Sequence, residues 1–275
     1  MNKAMQLKDK IKNLASKNHV PAQAVLQNFM LERLLERISL SNYGDKIILK
    51  GGMLIGSMVG INNRTTMDMD ATLCNFPIEE GKIRRAGEEI CAFSIDDEVT
   101  FVLDHIDLIR EADEYGGYRL AITAKYESIN IPLKIDITCG DIITPHPVRY
   151  IFSSIFDNKR IAIWAYNSET IMAEKVETIL RRSVLSTRPR DYYDVYILMK
   201  EQGETIDMGI FRTALNATAE NRGSLMVLKD KDAILQTIRL DLDMRQRWTR
   251  YTIENFYAKG IDFDDIIDML VDILK

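Results

Sequence analysis

The stretch "GSMVGINNRTTMDMD", Gly56 to Asp70, sets a glycine-serine pair ten residues ahead of two aspartates one residue apart, Asp68 and Asp70. Side chains alternate faces along a strand, so these two carboxylates point the same way and lie about 7 Å apart. Like charges on one face repel unless they meet open water or hold a cation, and hard divalent ions take carboxylate oxygens together with substrate phosphates. Gly56 and Ser57 read as a turn at the start of a helix, whose backbone N–H groups suit phosphate. The stretch therefore reads as a holder for a metal-triphosphate. A DxD on a half-exposed strand also arises by chance, so the reading needs support from the rest of the chain.

Immediately upstream, "DKIILKGG" (45–52) reads as a short buried strand closed by a glycine pair, and "GGMLIGSMVG" (51–60) as a turn leading into a short helix. Residues 3–18 and 22–39 have helical spacing, with Pro21 at the start of the second segment. Downstream, "TMDMDATL", Glu98 to Ile109, Tyr118 to Tyr126 and Ile129 to Thr138 are rich in Val, Ile, Tyr and Thr. They predict a mixed sheet of about four or five strands, with a helix over Pro77 to Phe93 between them.

Past residue 165 the β signals stop. Ser168 with Glu169 reads as an N-cap and first-turn acid, and Ile171, Val176, Ile179 and Leu180 supply an apolar face. Further helices are predicted over 190–202, 208–220, 229–258 (one helix or a broken pair) and 262–274. The class expected is α+β, with an N-terminal domain over 1–165 and an all-helical C-terminal domain over 166–275.

Two more stretches carry chemistry. In "IPLKIDITCGD" (131–141) Lys134 and Asp136 share a strand face, and a neighbouring strand would bring Asp136 beside the first pair. Three carboxylates around two metals make a phosphoryl-transfer arrangement; the plain alternative is a cross-strand ion pair of Lys134 with an acid. In "AEKVETILRRSVLSTRPRDYYDVYILM" (173–199), Lys175, Arg181, Arg182, Arg188 and Arg190 concentrate positive charge, while Asp191 and Asp194 sit three apart on one helix face. A triphosphate or an RNA backbone suits such a cluster, and so does a solvated helix with surface salt bridges. Near the C-terminus, "RLDLDMRQRWTRY" (239–251) admits the same two readings: guanidinium and indole groups for RNA, or an amphipathic helix with ordinary ion pairs.

The bulk properties narrow the field. The chain has 275 residues, 46% hydrophobic and 28% charged, enough for a full core and unlike a disordered or fibrous protein. A net charge of -5 argues against a dedicated DNA-binding protein, because any nucleic-acid contact must come from a local patch. Three widely spaced cysteines fit neither a disulfide framework nor a CxxC knuckle, and a reduced cytoplasm suits them. The N-terminal residues lack a signal-peptide core, and no apolar run approaches the about 18 residues of a membrane span.

Taken in order, "LKGG", Gly56-Ser57, Asp68-x-Asp70, Lys134-x-Asp136, "EK" and "RDYYD" resemble the nucleotidyltransferase toxins of the AbiEii/AbiGii abortive-infection family over residues 20–200. Glycine-serine plus DxD alone resembles only the wider polymerase-β-like superfamily; the later blocks narrow it. The resemblance implies a nucleotidyltransferase-like mixed sheet in which Asp68 and Asp70 hold Mg²⁺ or Mn²⁺. It implies that Asp136 completes the metal site and acts on the acceptor hydroxyl. Gly56, Ser57 and Lys175 would contact the phosphates of an NTP, with Lys134 the lysine of the KxD motif and Asp191 and Asp194 the last acidic block. Also implied are an RNA acceptor, in some members the 3′ end of tRNA, and a cognate antitoxin. Arg181, Arg182, Arg188 and Arg190 are the expected RNA-binding residues. A small-molecule nucleotidyltransferase would share this core, whereas a DxD glycosyltransferase would open with a βαβ unit. A non-catalytic nucleotide-binding module would have no need of all three aspartates.

Overall fold

The computed structural model describes residues 3–109 and 116–275. The chain divides into two compact units, Met1–Gly140 with Pro147–Ala165, and Asp141–His146 with Tyr166–Lys275.

The first unit opens with two helices, α1 (Lys3–Asn18) and α2 (Ala22–Leu40). A strand and helix follow, β1 (Ile47–Lys50) and α3 (Gly51–Val59), then β2 (Met69–Leu73), α4 (Glu80–Ala92), β3 (Thr100–Ile109), β4 (Gly117–Tyr126), β5 (Ile129–Cys139), β6 (Val148–Ser153) and β7 (Arg160–Ala165). Among the described residues one mixed seven-stranded sheet forms, in the order β3-β4-β5-β2-β1-β7-β6. The four or five strands expected were too few: β6 and β7 extend the sheet beyond β1, where Leu49 pairs in parallel with Ala165.

Alternation decides which face carries chemistry. Along β5, Ile129, Ile131, Leu133, Ile135 and Ile137 are buried, while Asn130, Pro132, Lys134 and Asp136 point to the more open face. The apolar face packs under α2 and α4, whose buried Leu31, Leu34, Leu35, Ile83 and Ile90 complete the core. Charge enters that core paired at Arg37. Arg37 of α2 is 2% exposed and grips Asp97 with two hydrogen bonds of 2.8 Å while donating to the carbonyls of Phe93 and Val99. Unpaired, it would be a buried cation of prohibitive cost.

The second unit is helical: α5 (Ser168–Arg182), α6 (Pro189–Gln202), α7 (Met208–Asn221), α8 (Leu225–Lys229), α9 (Lys231–Leu240), α10 (Leu242–Glu254) and α11 (Phe263–Ile273). The N-cap of α5 is Asn167, whose side chain accepts from the Thr170 N–H; Ser168, expected in that role, is the first helical residue. The 229–258 segment is broken at Asp241, which ends α9 and caps α10 by accepting from the Met244 N–H. Glu177 is fully buried and takes hydrogen bonds from Arg181 (2.8 Å), Arg222 (2.6 Å) and Ser224 (2.8 Å).

Candidate active site

Lys50 ends β1 and Gly51 starts α3 with φ at 70°, a left-handed conformation that costs an L-residue about 1–2 kcal/mol. Glycine is required here for a second reason. A Cβ on Gly51 would lie 2.1 Å from Asp70 Oδ2, and one on Gly52 would lie 2.9 Å from Thr66 Oγ1. The glycine pair thus lets the start of α3, where the backbone N–H groups have no intrahelical partners, lie against the DxD carboxylates.

Gly56 and Ser57 do not open a helix, which corrects the sequence reading. They lie in the second half of α3, where Gly60 N–H already donates to the Gly56 carbonyl at 2.9 Å. A Cβ on Gly56 would meet the Arg64 carbonyl at 2.9 Å, so that glycine serves the return of the chain toward β2. Ser57 Oγ donates to the Leu54 carbonyl at 2.8 Å and shares a hydrogen bond with the Tyr150 hydroxyl at 2.9 Å. The helix start expected to cradle phosphate at 56–57 sits at Gly51-Gly52, the glycine pair read as closing the strand.

The aspartates are set by pairing register. Asp68 stands one residue before β2 and accepts from Thr66 Oγ1 at 2.6 Å; Asp70 lies within β2. β2 runs antiparallel to β1 with Lys50 opposite Asp70, and parallel to β5 with Asp70 opposite Asp136. On the far side, β4 pairs with β5 so that Arg119 faces Asp136, and β3 pairs with β4 so that Asp107 faces Arg119. Paired residues share a face, so Lys50, Asp70, Asp136, Arg119 and Asp107 form one row across five strands. Arg119 binds Asp136 with both arms, Nε to Oδ1 at 2.7 Å and a terminal nitrogen to Oδ2 at 2.6 Å. That hydrogen bond, more than the weaker pull of Asp68 and Asp107, raises the Arg119 guanidinium above its ordinary range. Lys134 is exposed on the same strand face as Asp136.

The three aspartates were expected to form one metal cluster. Among the described residues no three acidic, histidine or cysteine side chains gather closely enough to hold an ion. Asp136 is held by Arg119 instead. The donor set still suits Mg²⁺ or Mn²⁺ in a more limited way, because such ions usually take one or two carboxylates and complete their shell with water and substrate phosphate. Asp68 and Asp70 are the two that would hold such an ion.

An open cavity of about 130 Å³ runs along α3 in the same unit, sharing Gly52 and Thr66 with the carboxylate site and reaching Asn28, Glu32, Ser57 and Arg64. Glu32 was not singled out in the sequence. It is fully buried, accepts from Asn28 Nδ2 at 3.1 Å and from the Ile155 N–H at 3.2 Å, and burial pushes its carboxyl up to about 8.

The remaining candidates belong to the second unit. Lys175 of α5 donates to Asp191 at 2.6 Å and stands 3.0 Å from Asp194, the two carboxylates being 2% and 0% exposed. Arg188 also meets Asp191, at 3.2 Å. Arg181 is engaged with Glu177, Arg182 and Arg188 are half-buried, and Arg190 is exposed. In 239–251 the ion pairs are present: Arg245 donates to Asp264 at 2.7 Å and Arg239 pairs with Asp268, while Arg247 donates to the Val184 and Ser186 carbonyls and Arg250 is exposed. Trp248 is 4% exposed and donates to the Ile261 carbonyl, so its indole presents no stacking surface.

The first unit thus sets a glycine helix start, Gly51, against Asp70 of the DxD. The sequence matches the family model "Nucleotidyl transferase AbiEii toxin, Type IV TA system" over residues 33–269. The chain belongs to this AbiEii family and is a nucleotidyltransferase. Its fold is similar to that of a putative nucleotidyltransferase from H. pylori, at 16% identity and TM-score 0.50 over 93% of this chain and 94% of that one. JHP933 from Helicobacter pylori is similar at 15% identity and TM-score 0.50 over 92% and 90%. Among curated proteins no sequence matches.

Proposed function

We propose that this protein is the toxin of a toxin-antitoxin pair and transfers NMP from an NTP to the 3′ end of an RNA, tRNA being the leading candidate, using Mg²⁺ or Mn²⁺. The observation that carries the reading is the contact of Gly51 with Asp70: the α3 start and the DxD carboxylates meet where a triphosphate and its metal would sit together. The N–H groups of Gly51 to Leu54 bind phosphate oxygens, and Asp68 and Asp70 hold the cation. When bound, the metal neutralises charge on the transferring phosphoryl group. Thr66 orients Asp68 by hydrogen bonding one of its oxygens. Asp136 stands one strand beyond Asp70, and in this reading it receives the acceptor's hydroxyl proton.

In the second unit, Lys175, Asp191 and Asp194 are proposed parts of the nucleotide-binding machinery, and Arg182, Arg188 and Arg190 are proposed RNA contacts. The family supports a cognate antitoxin as partner. Among the described residues no helix is long and apolar enough to cross a membrane, and the proposed place of action is the cytoplasm. Labelling total RNA with [α-³²P]NTPs and Mg²⁺ tests the reading; label confined to small metabolites would favour an antibiotic-type acceptor instead.

A further inference from the structure

We infer that Arg119 is the docking point for the acceptor's terminal phosphate, and that docking there frees Asp136 to act on the acceptor hydroxyl. The inference rests on the nucleotidyl-transfer reading above. The cross-strand row gives the site a direction: the α3 start at the end of β1, then Asp70 on β2, Asp136 on β5, Arg119 on β4 and Asp107 on β3. With the triphosphate at the α3 end, an attacking hydroxyl comes between Asp70 and Asp136. The rest of the acceptor then extends away from the donor nucleotide. One strand spacing further, about 4.8 Å, the group it meets is Arg119.

An RNA end brings a phosphodiester one sugar away from its 3′ hydroxyl, and a small alcohol or amine brings none. A guanidinium takes carboxylate and phosphate with the same two parallel N–H···O bonds. Arg119 can therefore exchange Asp136 for phosphate and keep its paired geometry. Its side chain is 41% exposed, whereas that of Asp136 is 19% exposed, so the arginine is the partner that solvent and ligand can reach. Before the exchange both Asp136 oxygens are occupied by Arg119. Afterwards one is free for the hydroxyl. The acceptor oxygen then bonds to the α-phosphorus as the bond from that phosphorus to its bridging oxygen breaks. The electron pair leaves with pyrophosphate, and the hydroxyl proton passes to Asp136. The row thus ties release of the base to arrival of a phosphate-bearing acceptor.

The test compares wild type, Arg119→Lys and Arg119→Gln, all checked for an unchanged melting temperature. Binding of a 5′-fluorescein oligoribonucleotide with a free 3′ hydroxyl is followed by anisotropy against salt, and KM for RNA and for NTP by label transfer. Arg119→Gln is expected to lower the log-log salt slope by about 0.7, one lost single-strand phosphate contact. It should raise KM for RNA at least fivefold and leave KM for NTP within twofold, while Arg119→Lys restores the slope. An unchanged slope and RNA KM in Arg119→Gln overturn the proposal. So does transfer to a phosphate-free small molecule that Arg119→Gln leaves intact, an outcome that keeps nucleotidyl transfer. An Arg119-dependent slope in a wild type that transfers nothing supports the docking and overturns the transfer reading.

Discussion

At Gly51 two demands fall on one residue, a left-handed backbone and contact with Asp70 Oδ2. Gly51→Ala is expected to cost about 1–2 kcal/mol in strain before any displacement of Asp70, and to remove transfer along with it. Thermal melts and label transfer check this, and a variant as active as wild type contradicts the contact. Glu32 sets a second expectation. Burial raises its carboxyl to about 8, so the folded chain holds a proton that the unfolded chain releases near the ordinary 4.5. Its contribution to stability is fully present below that lower value and is lost as pH rises through about 8. Glu32→Gln should therefore gain stability over wild type as pH rises from 5 to 8, by an amount on the order of 1–3 kcal/mol at the upper end, read as a growing difference in melting temperature. A gain that does not grow with pH would show Glu32 to be ionised in the fold. Asp70 was legible as a strand residue because alternation is local, whereas Asp68 lies one residue ahead of β2. Glu32 and Arg119 were not, since a carboxylate in a helix and an arginine in a strand acquire meaning only from partners at a distance in sequence, Ile155 and Asp136.

Among the elements, β5 and α3 show where the sequence speaks and where it misleads. The Ile-x-Ile-x-Leu-x-Ile alternation from Ile129 to Ile135 marks a half-buried strand and places Asp136 on its open face without further help. For α3 the glycine-serine pair drew the turn five residues too late, since the positive φ that starts the helix belongs to Gly51 and backbone geometry has no local spelling when glycines recur at 51, 52, 56 and 60. β6 and β7, six residues each, were passed over although the shorter β1 and β2 were read. In the second unit the bond from α5 to α6 is an ion cluster, Lys175 with Asp191 and Asp194. Lys175→Met should leave two buried carboxylates without their shared cation and lower stability by about 3 kcal/mol, read as a shift in urea midpoint. An unchanged midpoint would free Lys175 for ligand alone. Titrating NTP into the same variant reads its proposed phosphate contact separately.

For the whole molecule, the proposed binding of a cation and triphosphate would relieve the two like charges of the DxD, so ligand linkage should be visible in the intact chain. Mg²⁺ with NTP at about a hundred times the dissociation constant adds about 2.7 kcal/mol of stability to wild type, and neither ligand should do so in Asp70→Asn. A melting temperature indifferent to both at millimolar concentration would count against the site. The acidic total charge of -5 makes RNA engagement a matter of local groups, which is why salt dependence at Arg119 and Arg190 is more informative than bulk affinity. The central claim is nucleotidyl transfer at the row of Asp70 and Asp136, and one measurement meets it directly: wild type and Asp70→Asn, both folded by melting temperature, incubated with [α-³²P]NTPs, Mg²⁺ and total cellular RNA. Label entering tRNA-sized bands with wild type, and falling at least about a hundredfold with Asp70→Asn, is the expected result. Equal labelling by both proteins, or no labelled RNA from wild type, would contradict it.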